Sequence, residues 1–271
     1  MLHFTVATKQ PAMTAARFAE AVEKTPQGKS VNMKLAQLLV DVFRSQSIAV
    51  LGNVLIAMGL AALIAFGYQY KTGEPLMNAD QIAYQLHSID PFAGTLWFAA
   101  IAGVWLFCSG IISGYFDNRS NYLNMRMRLT QHPLLKKLMS EKSRVKFANY
   151  MHENYGSLIG NLCFGMLLGI TGVVGYLTHL PLDIRHVAFS SANVGYIAVS
   201  GQFTYSLLLQ CIGFVLLIGL VNLIVSFSLT LWVALRSLNA EIDSWWPIWR
   251  EVCQIVKKRP LSLFLPVQLD K

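Results

Sequence analysis

The sequence has little charge, and the charge it has is lopsided. Asp, Glu, Lys and Arg make up 13% of the 271 residues against 54% hydrophobic, and the net charge is +8. Soluble domains carry about a quarter charged residues, so an ordinary water-soluble globule is excluded early. Cysteine is sparse and unpaired. Cys108, Cys163, Cys211 and Cys253 form no CxxC, which leaves no disulfide framework and no zinc site to read from spacing. There is no Walker motif, no HExxH and no GxSxG, hence no pointer to nucleotide hydrolysis, zinc proteolysis or esterase chemistry. No cofactor and no metal is expected. The first 40 residues lack an apolar h-region, so the first long apolar segment is expected to serve as the insertion signal.

What the chain does have is four long apolar segments, at about 48–66, 95–112, 158–176 and 204–223, the last staying apolar to about Leu235. Crossing a bilayer as a helix takes roughly 20 apolar residues. The expected fold is an all-α integral membrane protein with four transmembrane helices and additional amphipathic cytoplasmic helices. Lys and Arg set the orientation. Twenty of the 22 lie in 1–46, in the 119–155 loop or after residue 235, and only Lys71 and Arg185 lie in the other two loops. The positive-inside rule puts the rich side in the cytoplasm. The expected location is therefore the bacterial inner membrane, multi-pass, with both termini cytoplasmic. Basic segments facing the anionic inner leaflet account for the net charge, and membrane lipids are the first partners expected. The chain divides into an N-terminal amphipathic segment (1–46), a first hairpin (47–118), a basic cytoplasmic helical loop (119–155), a second hairpin (156–235) and a Trp-rich basic tail (236–271).

The hairpins look like one unit written twice. Residues 51–58 read Leu-Gly-Asn-Val-Leu-Ile-Ala-Met. A shift of 108 positions gives Ile-Gly-Asn-Leu-Cys-Phe-Gly-Met, and Gly67-Tyr68 is matched by Gly175-Tyr176. Two tandem hairpins in parallel repeat follow. In lipid, helices associate where small residues let backbones approach, so Ala57 and Ala61 of span one are expected against Gly165 and Gly169 of span three. In the connections, Asn78 and Gln81 predict a capped helix ended by Asp90-Pro91, and Pro133 splits the 119–155 loop into two helical stretches. Residues 31–46 carry apolar side chains at helical spacing, as a surface-lying amphipathic helix or as an inward continuation of span one.

Two sets of polar residues are candidate sites. Asp183, Arg185 and His186 stand in the outer loop after span three, three ionisable groups in four residues on a side with almost no other charge. They read as an outward-facing ligand or proton site, since an unperturbed His titrates near neutral pH, or as a clamp that fastens the loop to the bundle. Asn53, Asp117, Asn118, Asn161 and Asn222 lie within or at the inner ends of the spans. They read as helix glue or as a polar cavity at the repeat seam.

Several stretches carry a family resemblance. Lys71-Thr72-Gly73-Glu74-Pro75-Leu76, Leu86-His87-Ser88-Ile89-Asp90-Pro91-Phe92, Gly114-Tyr115-Phe116-Asp117-Asn118, Gly160-Asn161 and Leu180-Pro181-Leu182-Asp183-Ile184-Arg185-His186-Val187 resemble a family of bacterial multi-spanning proteins labelled site-specific recombinases of the gonococcal type. The resemblance covers about residues 35–240 and implies a longer helical region on the N-terminal side. A separate N-terminal region or another protein is thus an expected partner. The label also implies DNA as a partner and recombination as an activity. The residues carry no such chemistry. A tyrosine recombinase needs a nucleophilic Tyr among Arg and His groups that neutralise the scissile phosphate, and the one Arg-His pair, Arg185-His186, falls on the outer side.

Three functions remain in view: a membrane scaffold or translocation component, a membrane-associated DNA recombination protein, and a lipid-active enzyme working through Asp183, Arg185 and His186. Whether the chain is an enzyme stays open, as does its oligomeric state. The orientation is testable in intact cells. Asp80→Cys and Asn193→Cys are expected to react with a membrane-impermeant maleimide from outside and Lys142→Cys to be protected; labelling of Lys142→Cys in intact cells would overturn the charge argument.

Overall fold

The computed structural model describes residues 10–23, 29–201, 204–240 and 242–263. Pro26 and Gly28, which break the N-terminal segment in the sequence, and the end of the basic tail beyond Leu263 lie outside them. Ten α-helices are present among the described residues, and no strand. They are α1 (Gln10–Glu23), α2 (Lys29–Thr72), α3 (Ala79–Ile89), α4 (Thr95–Tyr122), α5 (Met125–Gln131), α6 (Pro133–Leu138), α7 (Glu141–Thr178), α8 (Val187–Ala198), α9 (Tyr205–Ser237) and α10 (Trp245–Lys258). Four of them, α2, α4, α7 and α9, are long and apolar enough to cross a membrane.

Local chemistry sets the breaks. Asn78 caps α3, its Oδ1 accepting the Gln81 N–H at 2.9 Å while Gln81 Oε1 accepts the Asn78 N–H at 3.0 Å, the reciprocal pair expected from the sequence. Asp90 accepts from Phe92 N–H. Gly94, at φ +80°, turns the chain into α4, a conformation open to glycine. No such signal interrupts residues 29–72, and the 31–46 stretch is the N-terminal part of α2. Likewise α7 starts at Glu141, so Lys142, Arg144 and Lys146 belong to a spanning helix. The loop proper is the short α5–α6 segment.

The four long helices form a row in which α4 packs between α7 and α9, while α2 lies against α8 and α9. The main contacts therefore cross between the two halves of the chain. The expected seam between spans one and three does not form. A Cβ at Gly165 or Gly169 would meet nothing within 4 Å. Ala61 is buried, but against Gly195 of α8, and Ala57 is half-buried. The reason is steric competition: α8 occupies the small-residue face of α2. The glycines that do bring α7 close to a neighbour are Gly156 and Gly160, and the neighbour is α4. A Cβ at Gly156 would strike the Ser113 carbonyl and Asp117, and one at Gly160 would lie 2.9 Å from Ser113 Cβ. Trp105 Nε1 donates to Thr171 Oγ1 at 2.9 Å further along the same seam.

Apolar side chains gather in an end cluster around Phe18, Leu35, Leu231 and Ile248 and a central cluster around Val54, Ile89, Val187, Val215 and Ile218. Exposed aromatics mark the two ends of the row. Tyr70, Tyr176 and Tyr205 ring one end; Tyr150, Trp232, Trp246 and Trp249 ring the other. Tyr150 to Tyr176 on α7 and Tyr205 to Trp232 on α9 each cover about 40 Å at 1.5 Å per residue. That is the thickness of a bilayer with its headgroups, whose boundaries favour Tyr and Trp.

The seam predicts a contrast between two glycines of one helix. Gly156→Leu, which overpacks the α4–α7 contact, is expected to cost about 1–3 kcal/mol or more and to lower the melting temperature in detergent. Gly165→Leu, which points into open space, is expected to leave it within about 1 °C. Equal losses from both would refute this packing.

Candidate functional site

Pro181 lacks a backbone N–H and cannot extend α7, and the chain turns at His179, φ +54°. The segment that follows was expected in the outer loop. It instead folds back into the bundle. The Leu182 carbonyl sits against Gly175, where no Cβ fits. Ile184 packs among Ala102, Trp105, Phe164 and Leu168. From Thr178 back to Leu168 is about 15 Å along α7. α8 then starts deep, with Val187 beside Gly219, and climbs along α2 until Gly195 meets Met58 and Ala61. The driving force is apolar: Leu182, Ile184 and Val187 leave water by entering the bundle. The segment lies about midway between the two aromatic ends on both α7 and α9.

An irregular backbone at that depth must find partners for its polar groups. Asn222, buried at the middle of α9, supplies several. Its Nδ2 donates to the Arg185 carbonyl at 3.1 Å and to the Ala99 carbonyl of α4 at 2.7 Å, and its Oδ1 accepts the Val187 N–H at 3.1 Å. One amide thus holds the start of α8, the re-entrant chain and α4 on α9. The Arg185 N–H donates to the Phe98 carbonyl, and the Ile184 N–H to Asp183 Oδ1.

The Arg185 side chain closes the assembly. Its Nη1 lies 2.6 Å from Asp183 Oδ2 and donates to the Ile184 carbonyl at 3.1 Å. Its Nε donates to the Ser88 carbonyl of α3 at 2.7 Å, and its guanidinium lies over the Phe98 ring, 5.8 Å from the centroid. Thr95 Oγ1 donates to the same Ser88 carbonyl at 3.0 Å, satisfying both lone pairs. The Ser88 hydroxyl donates to the Gln85 carbonyl, and Gln85 Oε1 accepts from Asn193 Nδ2 of α8 at 2.7 Å. The two short helices are thereby joined through residues 108 positions apart.

His186 stands apart from this network. Its ring is packed edge-on between Phe164 and Phe189, with centroids 5.1 Å and 5.8 Å away, and its Nδ1 faces the Ala188 N–H at 3.4 Å as the cap of α8. It faces aromatic rings, and the outward-facing site expected for it does not form.

The five polar residues expected to act together do not form one cluster. Asn222 belongs to the clamp. Asp117 lies about 27 Å along α4 from Ala99, where its Oδ1 accepts the Gly156 N–H at 3.2 Å. Asn118 and Asn161 are exposed, and Asn53 is half-buried on α2. Helix spacing alone could not reveal the register of α4 on α9, which sets Asn222 beside Ala99. Sequence reasoning also missed Ser88, Thr95, Gln85 and Asn193. The one signal available was the repeat offset, which pairs Gln85 with Asn193. Two cavities border the clamp without being lined by Asp183, Arg185 or His186. One of about 510 Å³ is lined by Leu76, Asp80, Gln81, Tyr84, Gln85 and Tyr196. The other, about 220 Å³, lies between α3 and α9. Among the described residues no group of His, Cys, Asp and Glu could hold a metal ion.

A family model described as site-specific recombinase matches residues 1–266, a longer reach than the 35–240 carried by the motifs. No curated protein and no solved structure matches the chain.

Removing the central amide tests the clamp. Asn222→Leu strands the Val187 N–H and the Arg185 carbonyl, and is expected to cost about 1–3 kcal/mol, or roughly 3–10 °C of melting temperature in detergent. Asn118→Leu, on an exposed site, is expected to cost nothing measurable.

Proposed function

The chain belongs to the site-specific recombinase family, and from that premise we propose that this member is a membrane scaffold without recombinase chemistry. It is a helical platform in the bacterial inner membrane with both termini cytoplasmic. The single observation that carries the reading is where the Arg185 guanidinium points. Its hydrogen bonds go to Asp183 and to the carbonyls of Ile184 and Ser88, all parts of the protein's own fold. A planar fork of this kind suits a carboxylate or phosphate ligand, and here Asp183 takes that place.

The other readings ask for something different. Phosphoryl transfer to DNA requires a nucleophile beside positive groups free to meet a phosphate. Among the described residues, no tyrosine or serine side chain bonds Arg185 or His186. A lipid-active enzyme would need Asp183, Arg185 and His186 to line a cavity. A translocation component is the closest rival, because re-entrant segments and mid-bilayer ionisable residues recur in transporters; the closed bonding of Asn222 and Arg185 favours the static role. Partners of the scaffold would dock on the cytoplasmic side, where α5, α6 and the start of α7 carry Arg126, Arg128, Lys136, Lys137 and Lys142. A separate N-terminal helical region is the first to try.

Two variants and one assay separate the readings. In a scaffold, Arg185→Lys keeps the charge and loses the fork, so the melting temperature falls by several degrees and Arg185→Ala falls further. Any retardation of DNA by the purified protein is then abolished by moderate salt and blind to sequence. Salt-resistant, sequence-selective binding, together with an Arg185→Ala protein that melts like wild type, would sink the proposal.

A further inference from the structure

The tail helix α10 has two different faces. One packs inward against α2: Ile248 is buried in the end cluster that also holds Leu35 and Leu231, and Val252 and Ile255 join it. That contact uses up the helix's aliphatic stripe. The opposite face carries Trp246, Trp249, Arg250, Cys253 and Lys257, all exposed. At 100° per residue these five fall within an arc of about 100°. Trp245 is partly occupied, stacked on Phe18 with centroids 6.0 Å apart. Trp246 and Trp249 remain 75% and 52% exposed. Two bare indoles next to two cations on a rigidly docked helix need a medium that is apolar on one side and anionic on the other.

The packing of α10 on α2, in the cluster that also holds Leu231 of α9, fixes where that face lies. Trp232, adjacent to Leu231, belongs to the aromatic end of the row and has the Arg236 guanidinium 5.9 Å from its ring centroid. α10 is therefore held at the level of this belt. We propose that the Trp246–Lys257 face of α10 is a binding surface for anionic phospholipid headgroups, with Trp246 and Trp249 seated in the interfacial layer and Arg250 and Lys257 on lipid phosphates. Indole rings prefer that layer, and basic residues beside it are drawn to anionic lipid. Glu251, the one acidic residue of α10, is buried on the inward side and leaves the outer face purely cationic. This inference stands on the aromatic belt and is independent of the mid-bundle clamp.

Cys253 lies at the centre of the face and is exposed, whereas Cys108, Cys163 and Cys211 are half-buried or buried, so it reports the contact directly. The full chain carrying Cys108→Ala, Cys163→Ala and Cys211→Ala would be placed in nanodiscs of neutral phosphatidylcholine, or of the same lipid mixed with phosphatidylglycerol. Modification of Cys253 by a water-soluble maleimide would then be timed. The proposal expects the reaction to slow about tenfold when anionic lipid is present. It expects Arg250→Gln with Lys257→Gln to erase that difference without changing the melting temperature. Equal rates in both bilayers would overturn it, whether the face is bare or reserved for a protein. So would slowing by anionic lipid that survives the double substitution.

Discussion

The structure depends on one requirement: a stretch of non-helical backbone placed in the middle of an apolar bundle must have its polar groups bonded. Residues 182–187 enter the bundle because Leu182, Ile184 and Val187 are apolar, and they can stay because Asn222 and Arg185 meet their carbonyls and N–H groups. An unpaired backbone group in such surroundings costs several kcal/mol. The Asn222 amide, with both its donor and its acceptor used, offsets that cost at two positions of the re-entrant chain and ties it to α4 as well. The rest of the architecture follows. Since α8 starts at mid-depth, it fills the space beside α2, and α2 has no face left for α7.

The same requirement separates the two halves of the chain. Both run long helix, short helix, long helix. In the first half α3 buries Ile82, Ser88 and Ile89 and is capped in the open by Asn78. In the second half α8 buries six residues and is capped inside by His186. The Gln85–Asn193 bond and the Arg185–Ser88 bond hold the short helices together, so the asymmetric segment is braced by its shallower counterpart. Arg185 is affordable at this depth with Asp183 beside it and carbonyls on its Nε and Nη1, since a lone cation within a bilayer is costly. That closed arrangement is what gives the scaffold reading its weight over catalysis.

Much of the fold was legible in the sequence. Apolar run length gave four spanning helices, and Asn78, Gln81 and Asp90-Pro91 gave the bounds of α3. The family was legible in motifs such as Leu180 to Val187. The path of that motif was not. A charged stretch after an apolar span reads as an outer loop because hydropathy weighs Asp183 and Arg185 as exposed groups and cannot see that they neutralise one another. Likewise, small residues at four-residue spacing mark surfaces that can pack closely but not their partners. Gly165 and Gly169 have the pattern and stand open, whereas Gly156 and Gly160 have it and find Ser109 and Ser113. Asn222 was singled out for its depth, but its role needed the register between α4 and α9, which no local signal encodes.

The central claim is that the chain from Leu182 to Ser190 folds back into the bundle. Amide hydrogen exchange read by mass spectrometry, with the unmodified protein in lipid nanodiscs, tests it without altering a residue. The account predicts that peptides covering Ile184 to Ser190 stay protected on the timescale of the spanning helices, because their N–H groups are bonded and shielded. Complete exchange of these peptides within seconds, as for an exposed loop, would contradict it.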